Sequence, residues 1–187
     1  MKNQFIQKKF ICFIFYAILG WSCEVLYYTF HLDLPFKNRG MLLGPYMPIY
    51  GLYAIVCVIA LGSFMKKKGG FLFKLLKILI VYLLCTIIIS AVQLGATYVL
   101  EHFTGSWSWA AMYQQFDLNF ENRVALIPSL KFGVAGLIIL YIFQPLIDII
   151  LDKQESQSIN VVFAIAFTIL ACDCFFTFAL PNLHNWG

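Results

Sequence analysis

Residues 38–51 read Asn-Arg-Gly-Met-Leu-Leu-Gly-Pro-Tyr-Met-Pro-Ile-Tyr-Gly and stand at the mouth of an apolar segment. The stretch contains one arginine, three glycines, two prolines and two tyrosines, whereas most residues around it are apolar. Irregular backbone leaves N–H and C=O groups without helical partners, so at membrane depth it is tolerated only against protein or beside a wet cavity. The pattern therefore predicts a structured re-entry into a second membrane helix, forming one wall of a polar site.

The composition is typical of a helical membrane protein. Of the 187 residues, 61% are hydrophobic, 18% aromatic and 12% charged, and the mean hydropathy is +0.82. Soluble domains are about half apolar and about a quarter charged. Here the apolar residues form long blocks, which is the pattern of transmembrane helices. We predict an all-α, polytopic transmembrane helix bundle that forms a single domain over residues 1–187.

Five spans are predicted, at about residues 10–30, 45–65, 78–100, 126–150 and 161–180. With the N-terminus inside, nine lysines fall on the inner side and four basic residues on the outer side. Because basic residues accumulate on the cytoplasmic side, this distribution favours an inside N-terminus and an outside C-terminus. The first span is too long for a signal-peptide core and contains Glu24, so we expect it to be retained. The expected location is the cell membrane, as a multi-pass protein.

Several functions are disfavoured because the sequence lacks the motifs that they require. It has no Gly-x-x-x-x-Gly-Lys-Ser/Thr phosphate loop, so the chain itself is not expected to hydrolyse ATP. Basic residues cluster at segment ends, so topology explains the net charge of +4 and no nucleic-acid partner is expected. The six cysteines form no Cys-x-x-Cys pair, and the three histidines lack metal-ligand spacing. We therefore assign no cofactor, no metal and no catalytic residue.

Polar residues inside the predicted spans fall on defined helix faces. Trp21 and Glu24 share one face of the first span, because residues three apart are neighbours on a helix. A stripe on the third span steps by three or four residues and comprises Thr86, Ser90, Gln93, Thr97 and Glu101. Such stripes are expected to face the bundle and not lipid. Gly133 and Gly136 on the fourth span predict a flat surface for close helix packing.

Depth along the spans predicts a shared polar layer. Glu24, Gln93 and Asp173 each lie about six or seven residues from the outer end of a span, roughly 10 Å down. Lys131 enters to a similar depth, so we predict an outward-facing polar pocket in the outer half of the bundle. The candidate pocket residues are Trp21, Glu24, Asn38, Arg39, Tyr46, Tyr50, Gln93, Glu101, Asn119, Arg123, Lys131 and Asp173.

A purely structural interpretation of the acidic residues competes with the pocket. Glu24 or Asp173 could pair with Lys131 or Arg39 and hold helices together without any ligand. For Gln93, a hydrogen bond between helices is the alternative to a ligand contact.

The aromatic residues have alternatives of their own. Tyr46 and Tyr50 could serve packing or an interfacial aromatic belt. The polar loop 101–124, predicted on the same outer side as 38–51, could hold a short interfacial helix. Its residues suited to the headgroup zone are Trp107, Trp109, Met112 and Tyr113.

Several motifs in the chain point to one family. They are Gly-Trp-Ser-Cys-Glu at 20–24, Asn-Arg-Gly at 38–40, Gly-Pro-Tyr-Met-Pro-Ile-Tyr-Gly at 44–51, Glu101 with Gly105 and Trp107, and the run from Asn119 to Arg123 that leads into Ser129, Leu130 and Gly133. With these, the chain resembles the putative ABC-transporter type IV family from about the first to the fourth helix, and Asp173 looks like a matching acidic position. The pattern would place Asn-Gly where Glu121-Asn122 stand, and an uncharged residue at Lys131. The resemblance implies a permease-like membrane protein.

Three functions follow as hypotheses. The first is a transport permease subunit, with a separate ATPase docked on the inner side and either a homo-oligomer or a partner protein completing the path. The second is an integral membrane enzyme or lipid-binding protein that uses the same pocket. The third is a structural or assembly module whose polar layer serves packing alone. The absence of a paired nucleophile and base weighs against the enzyme.

Overall fold

The computed structural model describes residues 2–31, 33, 35–38, 40–105, 107 and 110–179. The elements in chain order are α1 (Lys2–Leu26) with a π-helical segment (Tyr27–His31), α2 (Pro48–Met65), α3 (Phe71–Thr104), α4 (Ala110–Tyr113), β1 (Asn119–Phe120), β2 (Val124–Ala125), α5 (Leu126–Ile138), a second π-helical segment (Ile139–Phe143), α6 (Gln144–Asp152) and α7 (Ser156–Ala179). The two strands pair antiparallel, with Asn119 opposite Ala125 and Phe120 opposite Val124.

Within the described residues, five helical stretches are long and apolar enough to cross a membrane, and they are Gln4–His31, Pro48–Met65, Phe71–Phe103, Leu126–Asp152 and Ser156–Ala179. The prediction of an all-α membrane protein with five spans is therefore confirmed. The third helix begins at Phe71 and not near residue 78, because lysines at 74 and 77 continue the helix instead of ending it. Long lysine stems cover apolar surface while their ammonium groups reach water. The orientation of the termini and the single domain stay predictions.

The chain forms two compact units, of which the first comprises Met1–Leu52 and Ile147–Gly187. In its described part, α1 packs along α7. The Phe10 ring lies 5.2 Å from that of Phe163 and 5.8 Å from that of Phe167, between ring centroids. Near the start of α1, the Lys8 ammonium lies 2.7 Å from a carboxylate oxygen of Asp152. Aromatic packing and an ion pair thus hold together helices that are far apart in sequence.

The second unit is Tyr53–Leu146, and its main contact is between α3 and α5. Two glycines permit the close approach of these helices. A Cβ atom at Gly136 would lie 2.7 Å from both Cβ and Sγ of Cys85, and one at Gly133 would collide with Thr86 Oγ1. Both glycines are buried, so the flat packing surface predicted from them is present.

The fourth span contains a π-helical segment, Ile139–Phe143, that ends two residues before Pro145. The N–H of Gln144 donates to the carbonyl of Ile139, five residues back, instead of four. A proline ring has no N–H and clashes with the carbonyl four residues before it. A local π adjustment relieves this conflict, which explains how an apolar span tolerates the proline.

Candidate functional site

One carboxylate holds the irregular segment that precedes α2. Oδ1 of Asp173 accepts the N–H of Leu43 at 2.9 Å and the hydroxyl of Thr177 at 3.1 Å. Its Oδ2 accepts the N–H of Gly44 at 2.8 Å and the hydroxyl of Tyr46. A carboxylate offers about four lone-pair positions, so these four donors fill them. Asp173 is 8% exposed and serves as an anchor for backbone that has no helical partners of its own.

Apolar packing surrounds the same contact. Tyr46 and Leu42 are buried against Ala17, and Leu170 and Cys174 of α7 pack beside them. Burial and the hydrogen bond to Asp173 raise the pKa of the Tyr46 hydroxyl above its ordinary value, so the tyrosine stays a neutral hydrogen-bond donor. The segment is therefore fixed by polar and apolar contacts together.

Asn38 organises the start of this segment. Its Oδ1 accepts the indole N–H of Trp21 at 2.8 Å and the backbone N–H of Gly40 at 3.0 Å. Its Nδ2 donates to the carbonyls of Leu42 at 3.0 Å and Leu43 at 3.2 Å. Each polar atom of the amide thus has two partners, and Asn38 joins α1 to the turn.

A third pair of predicted residues meets in the first unit. The Tyr50 hydroxyl donates to a Glu24 carboxylate oxygen at 2.5 Å. The Tyr50 side chain lies against Gly20, where a Cβ atom would come within 2.5 Å of the tyrosine Cβ. The structure thus brings together Trp21 with Asn38, Tyr46 with Asp173 and Tyr50 with Glu24, whereas Arg39 lies outside the described residues.

In the second unit, Arg123 occupies an aromatic and acidic cage. Its guanidinium carbon lies 4.2 Å from the ring centroid of Tyr98 and 3.9 Å from that of Trp107. Nη2 lies 2.5 Å from a Glu101 oxygen and Nε 3.4 Å from a Glu121 oxygen. Burial opposes the charged form, but the hydrogen bond and negative charge of Glu101 outweigh it, so the pKa of Arg123 is raised. Arg123 is 6% exposed and fastens the loop after α3 to that helix.

The hairpin that carries Arg123 depends on Asn119. The Asn119 side chain donates to the carbonyl of Phe116 at 2.6 Å and accepts the N–H of Asn122 at 3.1 Å. Glu121 and Asn122 both have positive φ angles, 51° and 57°. Asn-Gly takes such a turn with the least strain, so Glu121 adopts a backbone conformation that is unusual for its type. The contacts of Asn119 and Arg123 support that turn.

Gln93 and Lys131 lie in different surroundings. Gln93 is buried and donates through Nε2 to the hydroxyl of Tyr113, and within the described residues its Oε1 has no partner. Lys131 is exposed on α5. Elsewhere on the polar stripe, Ser90 donates to Ser129 at 2.9 Å. The buried part of the stripe is therefore used for contacts inside the second unit.

A model of the family described as putative ABC-transporter type IV matches residues 11–178. The chain belongs to this family. The match extends beyond the first four helices into the last one and includes Asp173. No curated protein and no solved structure shows significant similarity to the chain. Family membership and the five membrane-length helices indicate a multi-pass membrane protein related to transport.

Three residues of this type IV family member that make polar contacts were not predicted from the sequence as contact residues. Tyr98 and Glu121 contact Arg123, and Tyr113 contacts Gln93. Tyr98 precedes Glu101 by three residues and so lies on the same helix face, a signal that could have found it. Tyr113 ends the four-residue helix α4 and Glu121 lies in the hairpin turn, and neither element is long enough for residue spacing to indicate a partner. Among the described residues, no group of three His, Cys, Asp or Glu side chains is placed to hold a metal ion.

Proposed function

We propose that this chain is the membrane subunit of a transport system that a separate ATPase energises. The observation that carries the proposal is the family match over residues 11–178. Two sequence features agree with it, namely the five apolar spans and the lack of a phosphate-binding loop. In this proposal the partner, and not this membrane-spanning chain, couples ATP hydrolysis to movement.

The connection between α2 and α3 is the proposed docking surface for that ATPase. Lysines 66–68 and Lys74 are exposed, and the basic distribution predicts them on the inner side. Lys77 donates from Nζ to the carbonyls of Met65 and Lys67, each at 3.0 Å. These bonds hold the connection against the end of α2, so the backbone that carries the exposed lysines is fixed. A fixed positive surface suits an acidic patch on a partner.

Affinity purification in mild detergent, followed by mass spectrometry, tests the proposal. We expect a nucleotide-binding ATPase in stoichiometric amount, and a loss of about tenfold in its recovery for K67E/K68E. The matched control is K153E, which reverses an exposed lysine predicted on the same side. A clean homo-oligomer without an ATPase would contradict the proposal.

An outward-facing pocket for an ion or charged substrate is part of the same proposal. Glu24, Arg39 and Lys131 are its candidate contacts, since ionisable groups inside spans are functional candidates by default. Binding of radiolabelled candidate ions to the purified chain in nanodiscs, compared with K131M, tests this part. Equal binding by wild type and K131M across all ions would remove Lys131 from the site. We further propose the cell membrane as the location, which membrane fractionation tests.

The second candidate function is a structural module, and one observation favours it. All four acceptor positions of Asp173 are filled by groups of the chain itself. A double-mutant cycle on the hydrogen-bonded pair Glu24 and Tyr50, with the variants E24Q and Y50F, separates the structural function from the transport function. A loss of stability with the ATPase still recovered assigns the pair to packing, whereas lost recovery with intact stability assigns it to transport.

A further inference from the structure

The hairpin between α4 and α5 presents two large apolar side chains outward. Leu118 is 67% exposed and Phe120 is 56% exposed. Leu118 directly precedes β1 and Phe120 is its last residue, so the two apolar side chains stand two positions apart on the same arm of the hairpin. The exposed pair lies outside the five membrane-length helices, where an apolar surface needs an explanation.

Hydrogen bonds hold the backbone that carries these two side chains. The N–H of Arg123 donates to the carbonyl of Phe120 at 2.9 Å, and Asn119 caps the turn through Asn122. The caged Arg123 guanidinium fastens the hairpin to α3. Little conformational freedom is therefore left to lose when Leu118 and Phe120 become buried.

The backbone also places the pair beside the end of a membrane span. The N–H of Leu126, the first residue of the fourth span, donates to the carbonyl of Leu118 at 2.9 Å. Phe103, the last residue of the third span, is 72% exposed. The exposed apolar pair is thus tied by the backbone to the first residue of the fourth span.

We propose that this hairpin, residues 118–126, is a membrane-interface anchor. Leu118 and Phe120 insert between the headgroups and upper acyl chains of the bilayer that the helices cross. Burial of apolar side chains at that boundary is favourable by the hydrophobic effect. The neighbouring exposed charges, Asp117 and Glu121, are acidic. The fitting surface is therefore zwitterionic, and insertion does not depend on anionic lipid.

Tryptophan fluorescence of the full chain in vesicles tests the anchor. F120W is reconstituted in phosphatidylcholine and in the same lipid brominated near the headgroup end of its acyl chains. The parent spectrum is subtracted, which isolates the added indole. We expect a blue-shifted emission that loses roughly half its intensity in the brominated lipid. The control is Q115W, an exposed polar position of the same loop, which we expect to stay unquenched.

Two further outcomes keep the test decisive. L118W reports on the other exposed apolar position of the hairpin if the aromatic exchange at residue 120 disturbs folding, and it should be quenched in the same way. Red-shifted, unquenched emission from both variants would overturn the anchor. Blue-shifted but unquenched emission would also overturn it, because the side chains would then be covered by another copy of the chain and not by lipid.

Discussion

At the scale of single residues, Asp173 shows how an acidic side chain becomes useful inside an apolar span. An isolated carboxylate there is expensive. Two backbone amides and two hydroxyls compensate for the loss of water around it. The same hydrogen bonds also stabilise the irregular segment before α2, because its N–H groups need acceptors. The hydrogen bonding of Asp173 is thus completed by donors of the chain and needs no cation.

Asp173→Asn should destabilise the protein by about 1–3 kcal/mol, since the amide keeps the shape but accepts fewer hydrogen bonds. Chemical unfolding in detergent measures the loss, and limited proteolysis of residues 40–47 reports on the segment itself. Thr177→Val is the matched control, because it removes one of the four bonds and should cost about 1 kcal/mol. Unchanged stability and unchanged proteolysis of D173N would show that the carboxylate does not hold the segment.

Arg123 is the second residue whose chemistry cannot be replaced by charge alone. Arg123→Lys keeps the positive charge but loses the planar group that stacks between Tyr98 and Trp107. We expect a loss of about 1–3 kcal/mol in unfolding free energy and faster proteolysis of the loop after α3. Lys131→Arg, an exposed exchange of the same type on α5, is the control and should change neither. Equal stability of R123K and the parent would mean that the rings contribute nothing.

At the scale of elements, helix packing decides the second unit. Lipid is as apolar as a helix surface, so helices associate through close van der Waals contact. Gly136 permits this contact by leaving room for Tyr53 and Cys85. The small residue is therefore required by the neighbouring helices and not by its own backbone.

Gly136→Ala should destabilise the second unit by about 1–3 kcal/mol, because the new methyl group overpacks the contact with Cys85. Thermal unfolding in detergent, followed by circular dichroism, measures the change. Gly95→Ala on α3 is the control, because the added Cβ would have no other heavy atom within 4 Å and would not overpack. That control should be neutral or gain roughly 0.5–1 kcal/mol from the better helix propensity. If both variants melt alike, the packing argument is wrong.

At the scale of the whole molecule, the distribution of lysines predicts how the chain crosses the membrane. Nine of the basic residues lie on the predicted inner side. A fluorescent protein inserted after Lys68 should therefore fluoresce, because it folds inside the cell. Alkaline phosphatase inserted after Gln115 should be active, because it folds outside.

The topology test has a built-in control, since exchanging the two reporters between the insertion points should silence both. Active phosphatase after Lys68 would reverse the predicted orientation. It would also move the proposed ATPase docking surface to the wrong side. The interfacial anchor at residues 118–126 would stand, because it depends on the end of a span and not on the side.

The sequence by itself determined the class of the protein, the five spans and the family, because each depends on local properties of the chain. Hydropathy over about 20 residues identifies a span without knowledge of its neighbours. Helical spacing likewise predicted the polar stripe on α3 and the packing glycines on α5. The 44–51 run was specific enough to indicate the family that the match later showed.

Only the tertiary structure decided which polar groups meet. Depth along a helix predicts the height of a side chain but not the neighbour it faces. Asp173 bonds to Leu43, 130 residues away, and that pairing has no local signature. Arg123 was predicted as a pocket residue, and its guanidinium lies between Tyr98 and Trp107 beside Glu101. Buried polar groups need partners, and the packing of the helices determines which complementary atoms are near. The partners therefore depend on the tertiary structure and not on local sequence.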